Sequence, residues 1–149
     1  MKLSKNFSRS EIEHSNTAKR LGISNEMSEK HLENMQRLID NLIQPLRDSI
    51  GPIRISSGYR SPSLNRAIGG SSRSQHSKAE ALDLQFWSEG KMNNKVIYDW
   101  IIDSGLEFDQ MINEFDFSWI HISLKKNSNR KQVLEAYKDK DGDTAYKLA

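Results

Sequence analysis

Apolar side chains recur at steps of three and four residues along one segment of the chain, which predicts an amphipathic helix over residues 28–47. Ser28 is a suitable N-cap for this helix. A second amphipathic segment predicts a helix over 93–104, ended by Gly105. A more polar stretch predicts a short helix over 10–22. The apolar positions of the first segment are Leu32, Met35, Leu38, Ile39, Leu42, Ile43 and Leu46.

Other segments alternate between apolar and polar side chains, as half-buried strands do. The alternation predicts strands over 53–56, 79–86, 110–115 and 118–124, and another from Val133 onward. Only Asp116 and Phe117 separate the third strand from the fourth, which predicts a hairpin. We expect the strand from Val133 at an edge of the sheet, before a charged turn over 138–143.

One more short helix is predicted between the first two strands. Ser61 is a candidate N-cap, Pro62 suits the first helical position, and Gly69 and Gly70 suit the end. Together the elements predict an α+β fold, in which a small antiparallel sheet carries the functional site and the helices over 28–47 and 93–104 flank it.

Length and charge limit the class of protein. The 149 residues suffice for one hydrophobic core, so we expect a single domain over 1–149, with an N-terminal brace over about 1–27 and a C-terminal tail over about 138–149. The formal net charge of +2 is too small to predict a surface for nucleic acid. The N-terminus lacks the apolar stretch of an export signal, and no segment has the roughly 20 apolar residues of a membrane span. We therefore expect a soluble protein.

Three residues with metal-binding side chains stand in a distinctive order. His76 is followed seven residues later by Asp83, and His121 lies in an alternating apolar segment. The chain has no cysteine, so histidine and carboxylate would have to hold any zinc ion. Three such ligands leave the fourth zinc position open, which is typical of hydrolytic sites. His14 and His31 have no comparable setting, and we interpret them as surface or hydrogen-bonded residues.

Asp83 has two possible roles. It lies between Leu82 and Leu84 in a predicted strand, where an unpaired carboxylate is costly to bury. Metal coordination would offset that cost. A salt bridge to Arg54 or Arg60 would also do so, and the sequence leaves both interpretations open.

Several separated motifs occur in order along the chain. They are Ser57-Gly58-Tyr59-Arg60-Ser61-Pro62, Leu64-Asn65-Arg66-Ala67-Ile68-Gly69-Gly70, Ser74-Gln75-His76 with Asp83, Phe108-Asp109-Gln110-Met111-Ile112 and Trp119-Ile120-His121-Ile122-Ser123. Together they resemble the zinc D-Ala-D-Ala carboxypeptidase family, and the likeness extends from Phe7 to Ser123. This family belongs to the LAS-type metallopeptidases, which include phage L-alanyl-D-glutamate endolysins and share a zinc fold with the hedgehog signalling domain.

The resemblance implies a hedgehog-like peptidase fold and a set of chemical roles. One zinc ion would be held by His76, Asp83 and His121, with water at the fourth position. Glu114, shortly before the last histidine motif, would be the carboxylate base. Asp116 is the alternative base, because the hairpin could place either carboxylate near the metal.

The resemblance also assigns residues around the metal. Arg60 would face the scissile carbonyl, where a fixed guanidinium stabilises developing negative charge, and a structural ion pair is its alternative role. Ser74 and Gln75 would bind the substrate or, alternatively, form the turn. Trp119 is interpreted as a core residue. Ala79 departs from the family pattern, which has glycine there, so a positive φ at this position would strain the backbone.

The implied function is zinc-dependent hydrolysis of a peptide bond in the stem peptide of peptidoglycan. Either a terminal D-Ala is removed or the bond between L-Ala and D-Glu is cleaved. We expect a monomer that is made in the cytoplasm and acts on the cell wall, as a phage or prophage lysis or tail component. A catalytically silent zinc-fold module for binding or phage assembly is the first alternative. A metal-free domain, in which the three candidate ligands are ordinary structural residues, is the second.

Overall fold

The structure, a computed structural model, describes residues 1–149 and has an α+β architecture, which confirms the predicted fold class. The helices are α1 (Arg9–Glu13), α2 (Asn16–Leu21), α3 (Glu29–Leu38), α4 (Gln44–Ile50), α5 (Pro62–Ala67) and α6 (Lys95–Ser104). The strands are β1 (Arg54–Ser57), β2 (Ala81–Gln85), β3 (Trp87–Ser88), β4 (Lys91–Met92), β5 (Gln110–Glu114), β6 (Trp119–Ser123), β7 (Gln132–Lys138) and β8 (Thr144–Leu148). None of the helices is both long and apolar enough to cross a membrane.

The predicted long helix is present and continues to Ile50. Ser28 caps it, because its side chain accepts a hydrogen bond from the His31 amide at 3.2 Å. A π-helical segment, Ile39–Ile43, joins α3 to α4 without a break in the helical backbone. The segment comes directly before the turn that holds Pro45, whose ring would clash with a carbonyl of a regular helix.

The predicted helix over 10–22 is wrong in one respect, since two short helices occupy this stretch. The chain leaves the helical conformation at His14, and Ser15 then caps α2 by accepting a hydrogen bond from the Ala18 amide at 3.1 Å. A serine that offers its oxygen to the backbone favours a helix start over a helix interior. Gly22 ends α2 with a φ of 69°.

Six strands form the main sheet, in the order β1-β2-β6-β5-β7-β8, and β3 pairs with β4 in a separate ribbon. The pairs are antiparallel except for β5 and β7, which run parallel. The prediction of an edge strand from Val133 is wrong, because β7 lies inside the sheet and β8 forms the edge. The expected tail thus contains a strand. Most of β8 is exposed, so its sequence lacks the alternation of apolar and polar residues that predicts a half-buried strand.

The register divides the side chains of the sheet between two faces. One face is apolar and packs with the helices into the core; its fully buried members include Leu82, Leu84, Met111, Ile120 and Ile122. Residues directly opposite on neighbouring strands share a face. Asp83 lies opposite His121, which lies opposite Ile112, so all three are on the other face. That second face carries the candidate site.

Candidate metal centre

His76, Asp83 and His121 converge at one point. Each offers a nitrogen or oxygen atom, and these atoms lie within 4.8 Å of one another. Asp83 and His121 are brought together by their pairing across β2 and β6. His76 reaches them from the 3-10 turn Gln75–Lys78, which precedes β2. The three residues are nearly enclosed, since Asp83 is 7% exposed and His76 is 4% exposed.

The protonation of His76 follows from its hydrogen bonds. Its Nδ1 lies 2.8 Å from the backbone carbonyl of Gly58, which can only accept, so Nδ1 carries the proton. The Nε2 atom of the neutral ring is then a lone-pair donor, and it lies 3.2 Å from Asp83 Oδ1. A metal-bound histidine commonly donates its other ring N–H in this way.

A close backbone contact makes the Gly58 carbonyl available. A Cβ atom at Gly58 would lie 2.3 Å from the Ile12 carbonyl oxygen, so only glycine fits against α1 here. The neighbouring Tyr59 amide donates to the same Ile12 carbonyl at 2.9 Å. The next amide, that of Arg60, donates to the His76 carbonyl at 3.2 Å. The helix α1 thus helps to position His76.

The same oxygen of Asp83 faces both imidazoles, because His121 Nδ1 lies 3.1 Å from Oδ1. Burial raises the pKa of Asp83, but the charge and hydrogen bonds of His76 and His121 outweigh it and hold the pKa below its usual range. A carboxylate oxygen between two ring nitrogens needs a positive charge beside it. A protonated imidazole or a bound cation supplies that charge.

Arg60 approaches the cluster without completing it. Its Nη2 lies 3.7 Å from Asp83 Oδ2, which is an ion pair longer than a hydrogen bond, and it donates to Ser57 Oγ at 3.1 Å. Of the two arginines considered as salt-bridge partners of Asp83, Arg54 forms no such pair. The guanidinium of Arg60 also lines the cleft in front of the cluster.

Ala79, which stands where the family pattern has glycine, adopts a backbone conformation with positive φ. Its φ is 57° and its ψ is 35°, and it ends the 3-10 turn by donating from its amide to the Gln75 and His76 carbonyls. For an alanine this left-handed conformation costs about 1–2 kcal/mol. The methyl group is fully buried in the core, which offsets part of the strain.

Glu114 lies at the end of β5 and lines the cleft, half-buried. Burial and the negative charge of Asp83 raise its pKa to about 6, against the opposing effect of His121. Asp116 is exposed in the hairpin turn and lies outside the cleft lining. The turn is longer than predicted, because Phe115 and Ser118 belong to it as well as Asp116 and Phe117. Phe115, Asp116 and Phe117 all have positive φ.

Ser74 and Gln75 both contact other parts of the protein. The Ser74 hydroxyl accepts from the His76 amide at 3.2 Å and thereby caps the 3-10 turn. Gln75 Nε2 donates to Asp109 Oδ2 at 2.8 Å. Asp109 is fully buried and also accepts two hydrogen bonds from the Arg130 guanidinium, at 3.0 and 2.7 Å. Both residues still line the cleft.

The cleft has a volume of about 510 Å³ and includes residues that the sequence reasoning did not place there. Trp119 is partly exposed and faces the cleft, so it is not a buried core residue. Its position two residues before His121 in one strand was the available signal. The other additions are Ser71, Arg73, Gln110, Ile112, Leu134 and Tyr146.

The remaining histidines lie elsewhere. His14 is exposed and lines a separate depression of about 560 Å³ beside α1 and α2. This depression contains no cluster of metal-binding atoms like that of His76, so chemistry rather than volume identifies the candidate site. His31 Nδ1 lies 3.1 Å from the Tyr59 hydroxyl and forms a structural contact.

A sequence profile of the family described as Peptidase M15 matches residues 5–123. The chain belongs to the peptidase M15 family. No curated protein matches it. M15 peptidases are zinc-dependent, and membership implies a peptidase that acts on peptidoglycan-type substrates.

The donor atoms of this M15 chain fit a zinc ion. Two imidazoles and one carboxylate are ligand types that zinc prefers, and three protein ligands are typical of a catalytic zinc site. The bond from His76 Nδ1 to Gly58 fixes one ring for coordination through Nε2. A divalent cation would also supply the positive charge that Asp83 needs when both imidazoles are neutral.

Proposed function

We propose that the chain is a zinc-dependent peptidase that hydrolyses a peptide bond in the stem peptide of peptidoglycan. The bond is either the terminal D-Ala–D-Ala bond or the L-Ala–D-Glu bond, and the biological setting is phage or prophage cell-wall lysis. The observation that carries the proposal is the convergence of three zinc-type donor atoms within 4.8 Å at the base of an open cleft.

His76, Asp83 and His121 would hold one zinc ion. When bound, the ion supplies Lewis acidity that polarises a carbonyl and lowers the pKa of water. The protein's own residues contribute orientation. The Gly58 carbonyl keeps the lone pair of His76 directed at the cluster, and the pairing of β2 with β6 fixes the separation of Asp83 from His121.

Glu114 is the proposed base. Its side chain lines the same cleft, and its raised pKa shows that the carboxylate binds a proton more readily than an exposed glutamate. Because a cation in the site would lower this pKa again, the carboxylate would be ionised when it is needed to accept a proton. Asp116 is the weaker candidate, since it is exposed on the turn.

Arg60 and the 3-10 turn are proposed to hold the substrate. The Arg60 guanidinium is only loosely paired, at 3.7 Å from Asp83, and can donate to an oxygen that gains negative charge. Ser74 uses its hydroxyl oxygen as an acceptor, so its proton remains free for a substrate carbonyl or carboxylate. Gln75 uses its amide nitrogen for Asp109, which leaves its amide oxygen for a substrate N–H.

The decisive experiment incubates purified stem pentapeptides with the zinc-loaded protein and analyses the products by mass spectrometry. Loss of one alanine identifies a carboxypeptidase, whereas release of the remaining stem from L-Ala identifies an endopeptidase. Glu114→Gln should keep its zinc and lower turnover about 10²–10⁴-fold. Asp116→Asn is the matched control and should stay near the activity of the unmodified protein.

Each other outcome has a defined meaning. A large loss in Asp116→Asn with normal activity in Glu114→Gln would transfer the role of base to Asp116. Normal activity in both variants would exclude water activation by either carboxylate. Unchanged peptides in the presence of zinc would favour a silent binding or assembly module over an enzyme.

A further inference from the structure

The candidate cleft has two chemically different sides. Arg60, which follows β1, and Arg73, from the loop before the 3-10 turn, make one side cationic. Ile112, Leu134 and Tyr146 make the opposite side apolar. Leu134 and Tyr146 belong to the β7–β8 hairpin, at the far end of the sheet from β1.

The strand register shows which side chains of this hairpin lie on the same face of the sheet as His76, Asp83 and His121. Side chains directly opposite on paired strands share a face of the sheet. One row runs through Asp83, His121, Ile112 and Leu134, and the next runs through Glu114, Ala136 and Tyr146. The two rows therefore place the cluster, Glu114, Leu134 and Tyr146 on one face of the sheet.

The composition of the second row leaves Tyr146 accessible from the cluster. Only the methyl group of Ala136 stands between Glu114 and Tyr146, and it is 1% exposed. Tyr146 is 54% exposed and lines the cleft. Its pKa is raised by partial burial and by the negative charges of Glu114 and Asp83, which agrees with a ring that faces the cluster.

The hairpin lies outside the residues that the family profile matches. The profile of the M15 family matches residues 5–123, whereas β7 begins at Gln132 and β8 ends at Leu148. The groups proposed for the chemistry all fall within the matched part. A wall added after it can select a substrate without changing that chemistry.

We propose that Leu134 and Tyr146 form a subsite for an aliphatic side chain of the substrate peptide, close to the cleaved bond. The subsite deepens the peptidase function proposed above and rests on it. The methylene groups of a substrate side chain that packs against Leu134 and the Tyr146 ring would remove apolar surface of the substrate and of the protein from water. Each methylene group buried in this way contributes about a fourfold gain in affinity.

The test compares three pentapeptides, L-Ala–D-Glu–X–D-Ala–D-Ala, in which X is L-lysine, L-norleucine or glycine. The third residue lies within two positions of either candidate bond. The unmodified zinc-loaded protein should have a kcat/KM for the lysine and norleucine peptides at least about tenfold above that for the glycine peptide. Tyr146→Ala should reduce this preference to less than about threefold, and Leu134→Ala should also narrow it.

Two further variants separate the subsite from a general effect on the hairpin. Tyr146→Phe keeps the ring and should keep the preference. Tyr137→Ala is the matched control, because Tyr137 is a half-exposed tyrosine on β7 whose side chain points to the opposite face. It should leave the preference unchanged. Zinc content should be normal in every variant.

The subsite is wrong if the unmodified protein shows no preference, or if Tyr146→Ala retains it. Should the unmodified protein cleave none of the peptides, the proposed activity fails and the subsite is judged by calorimetric binding of the same peptides. Tighter binding of the norleucine than of the glycine peptide, lost in Tyr146→Ala, would still support the subsite. Equal binding of both peptides, or none, would overturn it.

Discussion

Two buried aspartates, Asp83 and Asp109, lie in the same sheet region but have opposite surroundings. Asp109 accepts hydrogen bonds from the Arg130 guanidinium, from the Arg130 amide at 3.1 Å and from Gln75 at 2.8 Å. Lys125 lies 3.6 Å away. Every nearby donor carries a fixed proton, and two of the side chains are permanent cations.

Asp83 has no such set of fixed donors. Its nearest neighbours are ring nitrogens of His76 and His121, at 3.2 and 3.1 Å, and one of these nitrogens is without a proton in the neutral ring. The nearest permanent cation, Arg60, is 3.7 Å away. A buried carboxylate is unfavourable unless a positive charge lies beside it, and here a protonated imidazole or a bound cation would supply that charge.

Burial of a carboxylate does not by itself mark a metal site. The hydrogen-bond partners of the carboxylate distinguish a structural aspartate from a candidate metal ligand. The two aspartates here contact neighbouring residues of one turn. Gln75 binds Asp109, and the next residue, His76, faces Asp83. Asp109, whose hydrogen bonds are complete, therefore anchors the turn that places His76 beside Asp83.

The largest expected difference is in zinc affinity. Asp83→Asn keeps the size of the side chain but removes its charge, so the affinity should fall by more than about 100-fold, since even outer-shell changes cost up to that much. His121→Ala should lose the ion as well. Asp109→Asn should change the affinity by less than about tenfold, because Asp109 contacts no ligand atom. Elemental analysis measures the zinc content of each variant, and competition with a chelator measures its zinc affinity. Full zinc occupancy in Asp83→Asn would remove Asp83 from the ligand set.

The second difference concerns the two arginines and the stability of the metal-free protein. Arg130→Ala strands the buried Asp109, and the free energy of unfolding should fall by about 3 kcal/mol. Arg60→Ala should lower it by less than about 1 kcal/mol, because its pair with Asp83 is long and partly exposed. Urea denaturation compares the two variants. An equal loss in both would mean that Arg60 completes Asp83 as a structural salt bridge.

Local patterns in the sequence predicted the elements that surround the site. The helix from Ser28, the helix that ends at Gly105 and the strand with Asp83 are all present, because each has a buried side of regular period or a residue that caps it. The metal cluster followed from residue types, spacing and a resemblance. The register that sets Asp83 opposite His121 comes from strand pairing and could only be observed in the structure.

Long-range and exposed features had no such signal. Asp109 meets Gln75 and Arg130 across 34 and 21 residues of sequence, and no local period marks these contacts. The strand β8 is short and largely exposed, so it could not be distinguished from a tail. The position of Tyr146 in the cleft lining was therefore not predicted from the sequence. The π-helical segment was also missed, because its residues keep a helical hydrophobic pattern.

A smaller difference is expected in acid. Burial raises the pKa of Asp109, but the hydrogen bonds from Arg130 and Gln75 outweigh this effect and hold the pKa below its usual range. A lowered pKa contributes stability in full above the unfolded value of about 3.9; the contribution shrinks below that value and is lost as the pH falls through the lower folded pKa. Asp109→Asn should be about 2 kcal/mol less stable than the unmodified protein at pH 7, and the gap should narrow, without closing, as the pH falls to 3. Urea denaturation across this range measures the gap. A gap that is constant with pH would contradict the ionic role of Asp109.

The smallest expected effect concerns Glu114, a third carboxylate, which lines the same cleft as Asp83. Its pKa is raised to about 6 in the metal-free protein, by burial and by the charge of Asp83. A raised carboxyl pKa contributes stability below the unfolded value of about 4.3, and this contribution is lost as the pH rises through the folded value. Above pH 6 the ionised Glu114 therefore destabilises the metal-free protein. Glu114→Gln should remove this effect and gain about 1 kcal/mol at pH 8, a value discounted for partial exposure.

Zinc should reverse this gain, because a cation beside Glu114 favours its ionised form. The measurement is urea denaturation of Glu114→Gln and the unmodified protein at pH 4.5 and pH 8, with chelator or with zinc. Asp116→Asn removes an exposed carboxylate from the same hairpin and should change little at either pH. If Glu114→Gln were stabilised equally with and without zinc, Glu114 would lie outside the field of the metal, and its assignment as the base would fail with it.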